Sequence, residues 1–470
     1  MSDSNSSGLS RRSLVKALGV GATAGLAGCS GDGGGDGAAD EMGGNDGDGG
    51  DSTDDTDSDN TGTSSGEQAL LWEYAFPNDD QPPVWKNAFL ESYEERTGEE
   101  PQIARFSYED LRQKFLTGAR TGDPDAIEGV LSHLTEYAKA DHLEPLSDWA
   151  EGIDHYDGFV DSALDAMTYR GELYALPYEG NARALIYRTD IFEELGQDPP
   201  ETAAEFHEVG RMINEEYDEL DAYHNCTKDG SVRAFQEWMS HVYQHTDQLY
   251  VPDGESWSLN IEADQLGQIF DNWYAQVWAS DNPIANPDQL GTGWQVNDPG
   301  YLNGNFAMIE CGTWLRGWTS GDNINDSDAT SELLDNRTAV AHLPYGEGGS
   351  QGTFLEVKGI MVNSHSDNKE KARSIAGAWT DPDTLAGGAE DSPGKFITPV
   401  HDSVESTISN ENWAPFTDVF ETGRALAKIG WGPVREEFYG RMQEVAYGRT
   451  DPYDAGENLH EALSGLESEL

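Results

Sequence analysis

Basic residues are scarce in this chain: 28 Lys and Arg stand against 88 Asp and Glu over 470 residues, a formal charge of −60. Such an excess repels nucleic acid and anionic lipid surfaces, which excludes partners of that kind. At ordinary ionic strength the self-repulsion works against a compact fold, whereas at molar salt the Debye length falls to about 3 Å and most of it is screened. The balance points to a salt-loving organism. Cysteine is scarcer still. Cys29, Cys226 and Cys311 do not have the spacing of a zinc site or a redox pair. The last two suit a disulfide in an exported chain or two buried free thiols equally well. Long apolar runs are missing too, since the stretch 14–27 is short and rich in Gly and Ala, unlike a membrane span. Absent as well are a Gly-rich phosphate loop with Lys and a His-Glu-x-x-His pair, and the two Gly-x-Ser-x-Gly runs, Gly62–Gly66 and Gly348–Gly352, do not stand between an expected strand and an expected helix as a nucleophile elbow does. Nothing in the sequence therefore calls for an enzyme, a metal or a cofactor. Among so many acids, a pair of glycosidase carboxylates is neither revealed nor excluded.

What is present begins with an address. Ser10-Arg11-Arg12-Ser13-Leu14-Val15-Lys16 is a twin-arginine run, and the apolar stretch after it stops at Leu26-Ala27-Gly28-Cys29. A positive segment, an apolar segment and small residues before a processing point describe an export signal over 1–28. Cys29 after Leu-Ala-Gly looks like a lipobox, in which that Cys carries lipid as the first residue of the mature chain. Residues 29–66 are built mostly of Gly, Asp, Ser, Thr and Asn. They bury too little to offset the entropy of ordering, so they read as a tether reaching on the order of 35 Å. Lipid and tether together place a folded body, expected to be monomeric, at the extracellular face of the cell membrane.

That body has 13 Trp, 19 Tyr and 15 Phe in the chain to build a core. Strands are expected at 69–76, 102–108, 126–131, 184–187, 306–310 and 338–343. A hairpin is expected at 169–175 and a pair of strands within 352–362. Helices are expected at 82–96, 109–119, 134–140, 156–167, 189–195, 202–217, 232–245, 265–279 and 369–379, and from about 434 onward. Alternation of this kind is an α/β signature with largely parallel sheets. The length suggests two lobes.

The stretch Gly171-Glu-Leu-Tyr-Ala-Leu-Pro177, continuing through Ala184-Leu-Ile-Tyr187-Arg-Thr-Asp190 to Pro199-Pro-Glu-Thr202, resembles the central motif of extracellular solute-binding proteins. This is the broad family that contains the maltose-binding protein and feeds ABC importers. Three further segments agree in order: Asn303-Gly-Asn-Phe-Ala-Met308 with Gly312-Thr-Trp314, then Pro344-Tyr-Gly-Glu-Gly-Gly349 with Gly359-Ile-Met-Val-Asn363, and finally Tyr447-Gly-Arg-Thr-Asp-Pro452. Arg188-Thr189 departs from the family's Asn-Lys, and 223–292 matches it poorly.

The resemblance implies two α/β lobes of the periplasmic-binding-protein type, about 67–181 plus 356–403 and 182–355 plus 404–470. Crossovers then fall near 181–184, 353–356 and 402–404. A sugar or oligosaccharide is gripped in the cleft by hinge closure and handed to an ABC permease and its ATPase. A sugar site needs flat aromatic platforms with donors and acceptors at their edges. Trp314 aligns with a stacking Trp of the family. Glu179 and Asn181 at the first crossover are set to meet ligand hydroxyls, with Phe354 and Glu356 at the second. Tyr74 ends the first strand, where open α/β sheets take ligands. His133 and Glu136 fall on a ligand-facing loop, Trp238 beside Gln236 and Glu237 on a helix of the variable lobe, and Trp431 on a Gly-flanked loop. Trp273 and Trp278 are expected to pack their helix on its sheet. An alternative ligand is a polyol phosphate anchored by Arg183, Arg316 and Lys358. The rival functions are those of a secreted glycoside hydrolase and of a lipoprotein that reports solute to a membrane receptor.

Overall fold

The computed structural model describes residues 68–74, 84–254, 256–321, 323–391, 400–402 and 410–470. The expected leader, Cys29 and the tether lie outside them, as do the ends of the first strand and of the third crossover.

Consecutive apolar residues, with no alternation, mark a strand covered on both faces, and Leu70–Tyr74 is such a strand, buried at all five positions. It runs parallel to Gln102–Phe106 on one side and Ala126–Val130 on the other. Ala126–Val130 lies antiparallel to Thr353–Val362, which also pairs antiparallel with Ala175–Ala182 and parallel with Gly423–Ala425. These six strands form one sheet. A second sheet of four places Thr338–Ala341, Ala184–Arg188, Phe306–Cys311 and Asp221–Tyr223 in that order. Ala182 closes a strand of the first sheet and Ala184 opens one of the second, so Arg183 alone joins them.

Local chemistry sets the helices around these sheets. Ala203–Glu216 starts at a capping box, with Thr202 and Glu205 satisfying each other's backbone N–H groups. Thr189–Leu195 ends at Gly196, whose φ of +65° suits a residue without Cβ. The expected hairpin is present as Thr168–Tyr169 and Glu172–Leu173, turned by Arg170 and Gly171 at positive φ.

Several expectations need correction. The two strands expected within 352–362 are one, Thr353–Val362, with a register shift in its pairing between Lys358 and Gly359. The helix expected at 156–167 is a short turn, Tyr156–Gly158, followed by Asp161–Ala166. The 265–279 helix is α-helical over Ala263–Phe270 and widens to a π-helix over Asp271–Ala279. Such a widening adds no signature to apolar spacing. Cys226 and Cys311 are buried free thiols. Among the described residues no helix is long and apolar enough to cross a membrane.

Candidate functional site

Strands with both faces covered seldom carry polar side chains, yet Ala175–Ala182 buries Glu179 and Asn181. Residues two apart share a strand face, which sets Glu179 and Asn181 beside each other and opposite Lys358 and Glu356 on the neighbouring strand. Lys358 Nζ meets Glu179 Oε2 at 3.1 Å, and Asn181 Nδ2 donates to Glu179 Oε1 at 3.2 Å. Burial drags the Lys358 amine down, but the carboxylates of Glu179, Glu356 and Glu128 outweigh it and hold the group above its usual range. Behind them the Tyr178 hydroxyl donates to Glu128, whose second oxygen accepts the Tyr74 N–H at 2.8 Å.

At the crossover itself the Arg183 N–H donates to Thr353 Oγ1 at 3.2 Å, and the same hydroxyl donates to the Arg183 carbonyl at 2.7 Å. The guanidinium donates to Gln236 Oε1 at 2.5 Å and to Asn181 Oδ1 at 3.4 Å. Gln236 passes the chain on to Glu356 Oε1 at 3.0 Å. Burial, then the neighbouring charge of Arg233, pulls Arg183 below the usual arginine range.

The second sheet supplies the other wall. Phe306–Cys311 leads into Gly312 and the short turn Thr313–Gly317, which carries Trp314. Trp314 is half-buried, its Nε1 donating to Asp298 Oδ2 at 3.2 Å. Arg233 donates to Glu237 at 2.9 Å, to Asp298 at 3.1 Å and to the Glu310 carbonyl at 2.9 Å. Two guanidiniums lie over the Trp314 ring, Arg183 at 4.5 Å and Arg233 at 4.8 Å from its centroid. Burial pushes the carboxyls of Glu237 and Asp298 up, and Arg233 pulls both back. The result is a dry, polar seam with paired charges, hydrogen-bonding amides and one aromatic ring left partly open. Among the described residues no cluster of His, Cys, Asp and Glu is arranged to hold a metal ion.

The seam gathers Glu179, Asn181, Trp314, Phe354 and Glu356 of the expected site. Phe354 is buried with the Arg183 guanidinium 5.6 Å from its ring. Tyr74 is buried at the end of its strand, its N–H on Glu128 behind the Glu179–Lys358 pair. Three expectations fail. Trp238 is fully buried and stacked on Phe438 at 4.6 Å, and Trp431 packs on Phe235 with its Nε1 bonded to Ala427; both are core. The loop expected around His133 and Glu136 is the helix Leu131–Lys139, which follows Val130 directly. Within it His133 is buried beside Tyr137, its imidazole held well below the usual range by burial and by Arg435 and Arg112. Glu136 is clamped by Arg112 at 2.9 and 2.7 Å. Trp273 and Trp278 are buried as expected. Arg233 and Asp298 went unrecognised in the sequence. Their one signal was the rarity of Arg here, since an Arg in an apolar helix must find partners.

Residues 88–417 match the family model described as bacterial extracellular solute-binding protein. A binding protein of Brucella abortus (strain 2308), its ligand unnamed, is 22% identical over 73% of this chain and 79% of its own. The arabinooligosaccharide-binding protein of Halalkalibacterium halodurans is 23% identical over 57% of this chain and 58% of its own. Among solved structures, the GacH receptor of Streptomyces glaucescens, described unliganded and with acarbose, superposes with a TM-score of 0.70 at 18% identity, covering 85% of this chain and 98% of that one. The maltotriose-binding protein of Thermus thermophilus, bound to maltotriose, gives 0.65 at 20% identity over 85% and 99%. At these identities the structures establish the fold, a two-lobed α/β architecture.

Proposed function

For a chain that belongs to the bacterial extracellular solute-binding protein family, we propose capture of a sugar or oligosaccharide at the seam between its two sheets. One observation carries the reading. Arg183 is the single residue between a strand of the first sheet and a strand of the second, and three side chains converge on it: Asn181 from the first sheet, Trp314 from the turn that follows a strand of the second, and Gln236 from the helix Val232–Val242. Amides and charged groups around an indole suit a hydroxyl-rich molecule with apolar C–H faces. Relatives named for arabinooligosaccharide and maltotriose support a saccharide. Lobes that swing about the crossing segments would close on it, the ligand favouring closure by touching both.

Around that core function we set the address read from sequence: twin-arginine export, lipid on Cys29, a tether, and delivery by the monomer to an ABC permease in a high-salt setting. The polyol-phosphate alternative keeps only Arg183 of its three anchors, because Lys358 is engaged by Glu179, and Arg316 faces Asp335 at 3.6 Å and the Trp413 ring. A thermal-shift panel of sugars, polyols and peptides on the mature chain in molar KCl tests the proposal. A ligand of the native state raises the midpoint by mass action. Saccharide hits without turnover support it, while hits confined to peptides, or hydrolysis of an oligosaccharide, overturn it.

A further inference from the structure

The cations of the seam are not equally satisfied. Lys358 faces a carboxylate at 3.1 Å, and Arg233 faces two, at 2.9 and 3.1 Å. Arg183 differs. It is only 2% exposed, yet its side-chain hydrogen bonds run to two amide oxygens, and its Nε has no hydrogen-bond partner. No carboxylate oxygen of the described residues comes within 4.0 Å of its nitrogens, the reach of an ion pair. Its ring contacts are Trp314 and Phe354, and the charges of Arg233, Glu356 and Glu310 act on it from beyond ion-pair reach. Ring faces steady a guanidinium without neutralising it.

A buried cation that directly touches only neutral oxygens and rings is an incomplete ion pair, costly to keep unless a partner arrives. A guanidinium offers five N–H donors in a planar fork, which matches a carboxylate in two parallel bonds. Two of the five are engaged here. Charge decides which anion fits. A phosphate dianion brings two negative charges to one available cation, with Glu356 one residue away through Gln236. A carboxylate brings one.

Resting on the reading of the seam as a saccharide site, we infer that the captured sugar is acidic, a uronic acid or an oligosaccharide containing one. Its carboxylate is read by Arg183 through Nε–H while a ring lies against the open part of Trp314. Arg183 thereby sets specificity between acidic and neutral saccharides.

The test uses the mature chain in 2 M KCl. Galacturonate, glucuronate and their short oligomers are compared with the matching neutral hexoses and oligomers by calorimetry and tryptophan fluorescence, with acetate as a bare-carboxylate control. The expected result is binding of an acidic saccharide at least tenfold tighter than its neutral counterpart, with acetate ineffective. Arg183→Gln should erase that preference and Arg183→Lys should restore part of it. Should either variant fail to fold, by circular dichroism, the wild-type comparison alone decides. Neutral saccharides binding as tightly as acidic ones overturn the inference and leave the saccharide reading standing. Failure of every saccharide overturns both.

Discussion

Gly312 and Trp314 are in contact so close that a Cβ on the glycine would lie 1.9 Å from Trp314 Cζ3. The same Cβ would lie 2.4 Å from Asn181 Oδ1. Gly312→Ala therefore has to displace the indole, the amide or both. Overpacking of this kind costs about 1–3 kcal/mol, and because both displaced groups line the seam, ligand affinity should fall alongside the melting temperature. An alanine variant with unchanged affinity would remove Trp314 and Asn181 from the site.

Two tryptophans should separate stability from binding. Trp238→Ala empties a fully buried position packed on Phe438, a change worth about 3–5 kcal/mol in a core. Trp314→Ala removes a half-buried ring; it should cost less stability but abolish the ligand-induced thermal shift. Chemical denaturation paired with titration checks both, and the reverse pattern would exchange their roles.

Thr353 supplies one hydroxyl to both the N–H and the carbonyl of Arg183. Thr353→Val keeps the shape and leaves that buried backbone amide and carbonyl without it. The expected loss is about 1–3 kcal/mol, with faster amide hydrogen exchange at 182–184 measured by mass spectrometry. Unaltered exchange would mean that the hydroxyl does not restrain the crossing.

His207 is buried between Phe206 and Trp273, and burial lowers its imidazole to about 4. In the unfolded chain it titrates near 6.5. Below that pH the unfolded state takes up a proton that the folded state refuses. Stability from this group is thus complete above about pH 6.5 and is lost as pH falls toward 4, with a ceiling of about 3 kcal/mol. His207→Leu should trail the wild type least at acid pH, with the gap widening between pH 4.5 and 7.5 at constant molar salt. Parallel stability curves would remove His207 from the acid response.

The net charge of −60 should make folding depend on salt. Raising KCl from 0.1 to 3 M screens the repulsion; relief of about 4 kcal/mol corresponds to a rise of about 5 °C in a folded body of this size. Scanning calorimetry across a KCl series checks this. A flat response to KCl would contradict it.

The alternation of strands and helices was legible because consecutive apolar residues and caps are local signals. Leu70–Tyr74, Ala126–Val130 and the capping box at Thr202 all declare themselves within a few residues. The crossing at Arg183 was legible from the family motif. Trp238 was not, because every residue from Arg233 to Val242 is buried. Its polar stripe, Arg233, Gln236, Glu237, Ser240 and His241, is buried against other side chains and not turned to solvent, so polarity does not tell which face of the helix meets a cleft. Trp431 misled for another reason. Flanking glycines describe the backbone, whereas its burial is decided by Phe235 and Tyr250, distant in sequence. The pairing of Arg233 with Glu237 and Asp298 was hidden by abundance, since 88 acids offer too many candidate partners.

Thr353 is also the first residue of the long strand that returns the chain to the six-stranded sheet. Its grip on Arg183 consequently staples one outgoing connection to one incoming connection at a single atom. In the hinge closure proposed above, such a clip favours a swing of both connections about one shared point over the independent twisting of either.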